Sequence, residues 1–228
     1  MPVLATESRT KYFQATLQHL GNATEIPAAI RLLYALEPAA AALFLICLLP
    51  FLALLALVIR VASGTSPLIA HRRVGHHGQT LWVYKFRTMW PAPKRKSGFF
   101  VEKMVDEKPY PKMAKDPRVT SRLAAFCRRH SIDELPQLVL VAGGRMSLVG
   151  PRPITRFELS EYYESNVREV LSVKPGLTGL WQVRGRNRLT YRQRKRLDLF
   201  LVRRFSIGLY LRIVALTVPG VLFGRNAW

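Results

Sequence analysis

Two adjacent carboxylates, Asp133 and Glu134, stand in the segment RRHSIDELPQL, behind Arg128, Arg129 and His130. Adjacent carboxylates repel, so keeping both ionised requires nearby cations or a metal ion. One of them can serve as a nucleophile and form a covalent intermediate. Its neighbour can hold Mg2+ against a phosphate oxygen. Arginine offers the planar fork that phosphate oxygens accept. Together these are parts for phosphoryl transfer. A structural reading competes: after Ser131, the pair also suits the first turn of a helix, a serine cap followed by acids that complement the helix dipole. Spacing alone leaves both open.

Other basic residues gather at turns: Lys85 and Arg87 in KFRTM, Lys115 and Arg118 in KDPRVT, and Arg152 between Pro151 and Pro153. A loop arginine between prolines has a restricted backbone, which suits a fixed anion contact as well as a plain salt bridge. Trp181 and Tyr191, among arginines, can stack on bases or fill a core. His76 and His77 are adjacent rather than at metal-ligand spacing, and neither a Walker loop, a GxGxxG nor a Ser-His-Asp arrangement occurs.

The elements that must position these residues can be read from length, charge and hydropathy. The 228 residues make one domain or at most two small ones, and 49% hydrophobic with 21% charged excludes a disordered or fibrous chain. The net charge of +21 is uneven: residues 1–59 are neutral, and residues 60–228 hold 32 basic and 11 acidic residues. Such a body attracts nucleotide phosphates, nucleic acid or an anionic membrane face. Cys47 and Cys127 read as free thiols.

From Pro38 to Ile59 the chain runs 22 residues without a charge. A straight helix of that length spans about 33 Å, close to the ~30 Å hydrocarbon core. Pro50 near its middle removes a helical hydrogen bond. A kinked span and a helix that dips into one leaflet and returns are both open; length and the positive-inside rule favour the span. Beyond it, Leu81–Tyr84 reads as a strand, 90–117 as an exposed loop, and 121–130 as a basic helix continued or partnered by 131–141. Residues 143–153 read as loop, 155–171 as helix, 175–191 as turn-rich, and 192–223 as a helix that turns apolar and can lie in a membrane interface.

Five stretches in one order, KFRTM, KDPRVT, RRHSIDELPQL, MSLVGPRP and KPGLTGLWQVRGRN, together resemble the bacterial sugar transferase family, the monotopic phosphoglycosyl transferases. With the apolar helix the resemblance covers about residues 36–224. It implies transfer of a sugar-1-phosphate from a UDP-sugar to undecaprenyl phosphate with release of UMP, starting a lipid-linked glycan such as an exopolysaccharide. It implies Asp133 as nucleophile, Glu134 as the Mg2+-binding carboxylate, and Lys85, Arg87, Arg128 and Arg152 as phosphate-binding residues, with Gln182 and Arg186 at the donor. It also implies that Pro50 breaks the membrane helix into a re-entrant hairpin, which turns the topology toward the monotopic form. The chain departs from the family pattern at Leu49, Ala124, Val139-Leu140, Arg145 and Tyr210. The expected fold is α+β and mainly helical: a leader (1–35), a re-entrant membrane helix kinked at Pro50 (36–62), and a small cytoplasmic catalytic domain with short strands and interfacial amphipathic helices (63–228). Expected partners are the UDP-sugar, the polyprenyl phosphate and anionic lipids of the bacterial inner membrane, at its cytoplasmic face, and not nucleic acid, with a homodimer open. The rival from another class is a non-catalytic membrane-anchored basic protein binding anionic lipid or nucleic acid.

Overall fold

The computed structural model describes residues 28–89, 100–105, 119, 121–185 and 188–224. Arg186, Lys115, Arg118, residues 1–27 and most of the 90–117 segment lie outside the described residues. A long helix, α1 (Ala28–Ser63), starts inside the expected leader and ends just before the Gly64-Thr65-Ser66-Pro67 stop. It is one uninterrupted helix with Pro38 and Pro50 inside it. The break expected at Pro50 is therefore not an interruption of the helix. Ile30, Glu37, Ala41, Leu52, Leu55 and Ile59 are buried. With Leu45 and Leu48, which pack partly buried against the core, they recur at helical spacing and define one face. The opposite face exposes Leu32, Leu36, Leu43, Phe44, Ile46, Phe51, Leu54, Leu57 and Val61. Composition shows both faces as equally apolar; packing alone tells them apart.

The body comes next. Strands β1 (Leu68–Val74) and β2 (Thr80–Phe86) form an antiparallel hairpin around a short 3-10 turn at His76–Gly78. β3 (Val101–Met104), inside the segment read as loop, joins β1 in parallel and gives the order β2-β1-β3. Helix α2 (Arg122–Arg129) is capped by Ser121, whose side chain accepts from Ala124 N–H at 3.0 Å. A 3-10 turn (Ile132–Gln137) leads into α3 (Leu138–Ala142). β4 (Ser147–Val149) pairs in parallel with β5 (Gly176–Thr178). Between them lie α4 (Arg156–Tyr162), begun by a Thr155/Glu158 capping box, and α5 (Val167–Val170). α6 (Leu180–Arg184), α7 (Tyr191–Arg203) and α8 (Ile207–Leu222) complete the chain.

α1 threads three parts of the core. Ile30 packs with Val149, Leu180, Leu201, Phe205 and Ile213. Ala41 packs with Leu81, Val83, Leu138 and Met146, and Leu52, Leu55 and Ile59 pack with Phe86 and Cys127. The helix is thus the common wall against which the strands and the Asp133 turn are seated. α8 buries Tyr210 and Ile213 and exposes Leu211, Leu216, Val218 and Leu222, a second apolar outer surface.

Candidate active site

The turn that carries the two carboxylates begins with a backbone outlier. Ser131 adopts the left-handed conformation, φ 55° and ψ 21°, and makes no side-chain cap. The serine cap read from the sequence at this position belongs instead to Ser121. A non-glycine residue there costs about 1–3 kcal/mol and clusters at functional sites. The reversal turns Ile132 and Leu135 into the apolar cluster of Phe86, Cys127 and Ile59. Asp133 is carried inward, 8% exposed. Glu134 N–H donates to the Ser131 carbonyl at 3.1 Å and holds the turn closed.

Cations from distant parts of the chain meet this turn. Lys85, near the end of β2, donates from Nζ to Glu134 Oε1 at 2.6 Å. Arg152, just beyond β4, donates from Nη2 to the same oxygen at 3.4 Å. Arg128, on the last turn of α2, reaches Thr88 Oγ1 at 3.4 Å. Burial pushes the Asp133 carboxyl up to about 6, and the Glu134 charge adds to the rise; Lys85 and Arg128 act in the opposite sense. The fold therefore sets a buried, protonatable carboxylate beside a second carboxylate clamped by two cations. A carboxylate so placed has the chemistry of a nucleophile, and the three cations around the two acids suit a phosphate group.

Arg152 is supported from behind. It lies over the Trp181 ring at 5.7 Å, and Arg194 covers that ring at 4.8 Å and the Tyr191 ring at 5.1 Å. Tyr191 is stacked on Tyr162 at 4.4 Å. Asp198, 1% exposed, accepts from the Tyr163 hydroxyl at 2.8 Å. Burial pushes its carboxyl up to about 7, against the pull of Tyr163, Arg152 and Arg194. Gln182 is buried next to Trp181 and donates to the Leu177 carbonyl at 3.2 Å, and its Oε1 has no hydrogen-bond partner among the described residues. Sequence reading missed Tyr163, Arg194 and Asp198. The available signal was one acid, four residues after Arg194, in an arginine-dense helix.

Comparison with known proteins decides what this arrangement belongs to. The family model described as bacterial sugar transferase matches residues 31–224. The chain belongs to the bacterial sugar transferase family. This sugar transferase is 39% identical over 192 residues to the exopolysaccharide production protein ExoY of Sinorhizobium fredii, covering 82% of this chain and 84% of that protein. It is 37% identical over 174 residues to the undecaprenyl-phosphate galactose phosphotransferase of Salmonella typhimurium, covering 73% of this chain and 35% of that protein. It is 38% identical over 208 residues to the undecaprenyl-phosphate glucose phosphotransferase of Komagataeibacter xylinus, covering 85% of this chain and 36% of that protein. The chain thus spans about a third of these two phosphotransferases. The enzyme is a transferase of sugar phosphates, and its long apolar helix fits a membrane-associated protein.

Within the transferase, the structure brings together Lys85, Arg128, Asp133, Glu134 and Arg152, and Gln182 directly follows Trp181, over whose ring Arg152 lies. Arg87 has a different position. It is 5% exposed, donates from Nε to the Ser66 carbonyl at 2.8 Å, and pairs through Nη2 with Glu102 Oε2 at 2.6 Å. It ties the end of β2 to β3 and to the α1–β1 connection. Those contacts set Arg87 apart from the Lys85, Arg128 and Arg152 group around the carboxylates. Among the described residues no group of three His, Cys, Asp or Glu side chains could cage a metal. Mg2+ does not need one, since one or two carboxylates and the substrate's phosphates are its usual ligands. Glu134, with Asp133 beside it, fits that kind of site.

Proposed function

We propose that the enzyme moves a sugar-1-phosphate from a UDP-sugar to undecaprenyl phosphate, the first step of an exopolysaccharide or related glycan. The observation that carries this is the buried Asp133 beside a Glu134 carboxylate held by Lys85 and Arg152, in a family whose relatives include undecaprenyl-phosphate galactose and glucose phosphotransferases. An Asp133 carboxylate oxygen attacks the phosphorus that bears the sugar. The bond from that phosphorus to the bridging oxygen breaks, and UMP leaves with the electron pair. A phosphate oxygen of undecaprenyl phosphate then attacks the aspartyl phosphosugar, giving the diphosphate-linked sugar and restoring Asp133. Lys85, Arg128 and Arg152 orient the diphosphate and offset its negative charge beside the carboxylates. Glu134, together with the substrate's phosphates, would hold Mg2+, which would supply further charge neutralisation at the phosphoryl oxygens.

The membrane arrangement supported best is monotopic, at the cytoplasmic face of the inner membrane. The face of α1 that packs on the body runs from Ile30 to Ile59, on both sides of Pro50. As a helix this covers about 44 Å, more than the ~30 Å hydrocarbon core. A perpendicular span would draw the charged body into lipid. A helix seated along the body, with its outer face in one leaflet, satisfies both. α8 adds its exposed apolar side, and the basic surface attracts anionic headgroups. The rival, a non-catalytic basic protein, gives no reason for Lys85 and Arg152 to converge on Glu134.

The test is purified protein with a panel of UDP-sugars and undecaprenyl phosphate, assayed for UMP. One sugar should support UMP release that excess chelator removes. UDP as the product would show direct glycosyl transfer and overturn the mechanism, and full activity in chelator would leave charge stabilisation to the basic side chains.

A further inference from the structure

A buried carboxylate with three donors on one oxygen lies far from the Asp133 turn in sequence. Glu37 lies on α1 directly before Pro38, 4% exposed, on a helix that is otherwise apolar around it. Its Oε1 accepts three hydrogen bonds: from Ser147 Oγ at 2.7 Å, from Leu148 N–H at 3.1 Å and from the Tyr210 hydroxyl at 2.6 Å. Ser147 and Leu148 open β4, and Tyr210 is on α8. The other oxygen, Oε2, is buried without a hydrogen-bond partner among the described residues. One turn earlier on α1, the Tyr34 hydroxyl accepts from Lys174 N–H at 3.2 Å, two residues before β5. The helix therefore fixes the beginnings of both strands of the β4–β5 pair. A carboxylate buried in apolar surroundings is tolerated when donors surround it, and such a polar network specifies one arrangement of the elements it joins.

The active site lies just beyond those strand beginnings. Ser147 N–H donates to Pro175 O at 2.9 Å, Gly150 N–H to Thr178 O at 3.0 Å, and Gly176 N–H to Pro151 O at 2.9 Å. On the β4 side these bonds engage Ser147, Gly150 and Pro151, the last folding back on Gly176 at the start of β5. Arg152 is the next residue along the chain, and Trp181 is reached soon after β5. Ser147, which Glu37 holds, and Pro151, which precedes Arg152, are both fixed to the Pro175-Gly176 backbone, so a shift at Ser147 reaches the Arg152 contact with Glu134 through that short segment.

We propose that Glu37 is a positioning residue for the transfer reaction: it registers β4 against the membrane helix and thereby places Arg152 at the diphosphate. This rests on the transferase reading above. It makes α1 part of the catalytic frame as well as an anchor.

The test uses full-length protein in lipid vesicles, comparing Glu37→Gln and Tyr210→Phe, each alone and combined with Arg152→Ala. UMP release, equilibrium affinity for UDP and vesicle binding are measured. Glu37→Gln keeps the shape and weakens the acceptor, so UMP release should fall roughly tenfold to a hundredfold, the scale of a misplaced catalytic group. Tyr210→Phe removes one donor and should give a smaller loss in the same direction. UDP affinity should fall with either change, vesicle binding should persist, and the affinity loss should vanish in the Arg152→Ala background. Equal affinity losses in both backgrounds, or wild-type turnover in both single variants, would overturn the role of Glu37 while leaving the transferase reading intact. Wild-type protein that releases no UMP from any UDP-sugar would remove the reaction and this role together.

Discussion

Asp133 works against its own environment. Burial and the Glu134 charge hold its carboxyl up to about 6, against an ordinary value of 3.8. The folded chain therefore keeps this proton at pH values where the unfolded chain has lost it. The neutral form is the one folding favours, so its contribution to stability declines as pH rises from about 4 to about 6. Nucleophilic attack needs the ionised form, so activity and stability run in opposite directions over that window. Asp133→Asn removes both: covalent labelling by a UDP-sugar in the absence of acceptor should fall by about three orders of magnitude or more, while the thermal midpoint at pH 7 rises. In the native protein the same labelling rate should climb about tenfold per pH unit below 6 and level off above. A labelling profile flat from pH 5 to pH 7 would mean that Asp133 is ionised throughout that range when the donor is bound, and label retained by Asp133→Asn would remove Asp133 as the nucleophile.

At the scale of elements, the site depends on two very short strands lying unusually close. A Cβ at Gly176 would fall on the Gly150 backbone nitrogen, and one at Gly150 on the backbone around Lys174 and Gly176. Backbone cannot yield as a side chain does, so Gly176→Ala should cost about 1–3 kcal/mol, or about 2–4 °C of thermal midpoint per kcal/mol at this chain length. Gly208→Ala on α8, where an added Cβ meets nothing within 4 Å, is the control and should leave the midpoint unchanged or slightly higher. Equal effects from the two would mean that the β4–β5 contact is looser than its geometry indicates. The same elements show what a sequence reveals. β2 was legible because Leu81, Trp82, Val83 and Tyr84 are strand formers. β1, central in its sheet, was not, because His71, Arg72 and Arg73 break the apolar pattern. β4 and β5, three residues each, are too short to show a period. Asp133 and Glu134 were conspicuous as a pair, yet only the surrounding motifs separated chemistry from a helix cap. Glu37 could not be singled out, and Asp198 offered only its spacing from Arg194: the meaning of each lies in partners such as Ser147, Tyr210 and Tyr163, brought near only by the fold.

For the whole molecule, the open quantity is the path of α1 through the membrane. Pro50 lacks the N–H that would close its turn, yet the helix continues past it and packs on the body from both sides. The hydrophobic outer face, from Leu32 to Val61, faces away from a body carrying almost all of the +21 charge. That body attracts the anionic face of the bilayer and resists passage into hydrocarbon, so it stays on one side and holds α1 there along its length. In the monotopic arrangement proposed above, both ends of the helix emerge on the cytoplasmic side. Single cysteines at positions 5 and 100, in protein lacking Cys47 and Cys127, test this in sealed cells with an impermeant thiol reagent. Both positions should stay unlabelled until the membrane is opened. Labelling at position 5 alone would establish a span and require α1 to part from the body on one side of Pro50. Pro50→Ala, which restores the missing N–H donor, should raise the fraction labelled at position 5; no change would mean that the packing of Ala41, Leu52 and Ile59 on the body, and not the proline, keeps the helix on one side.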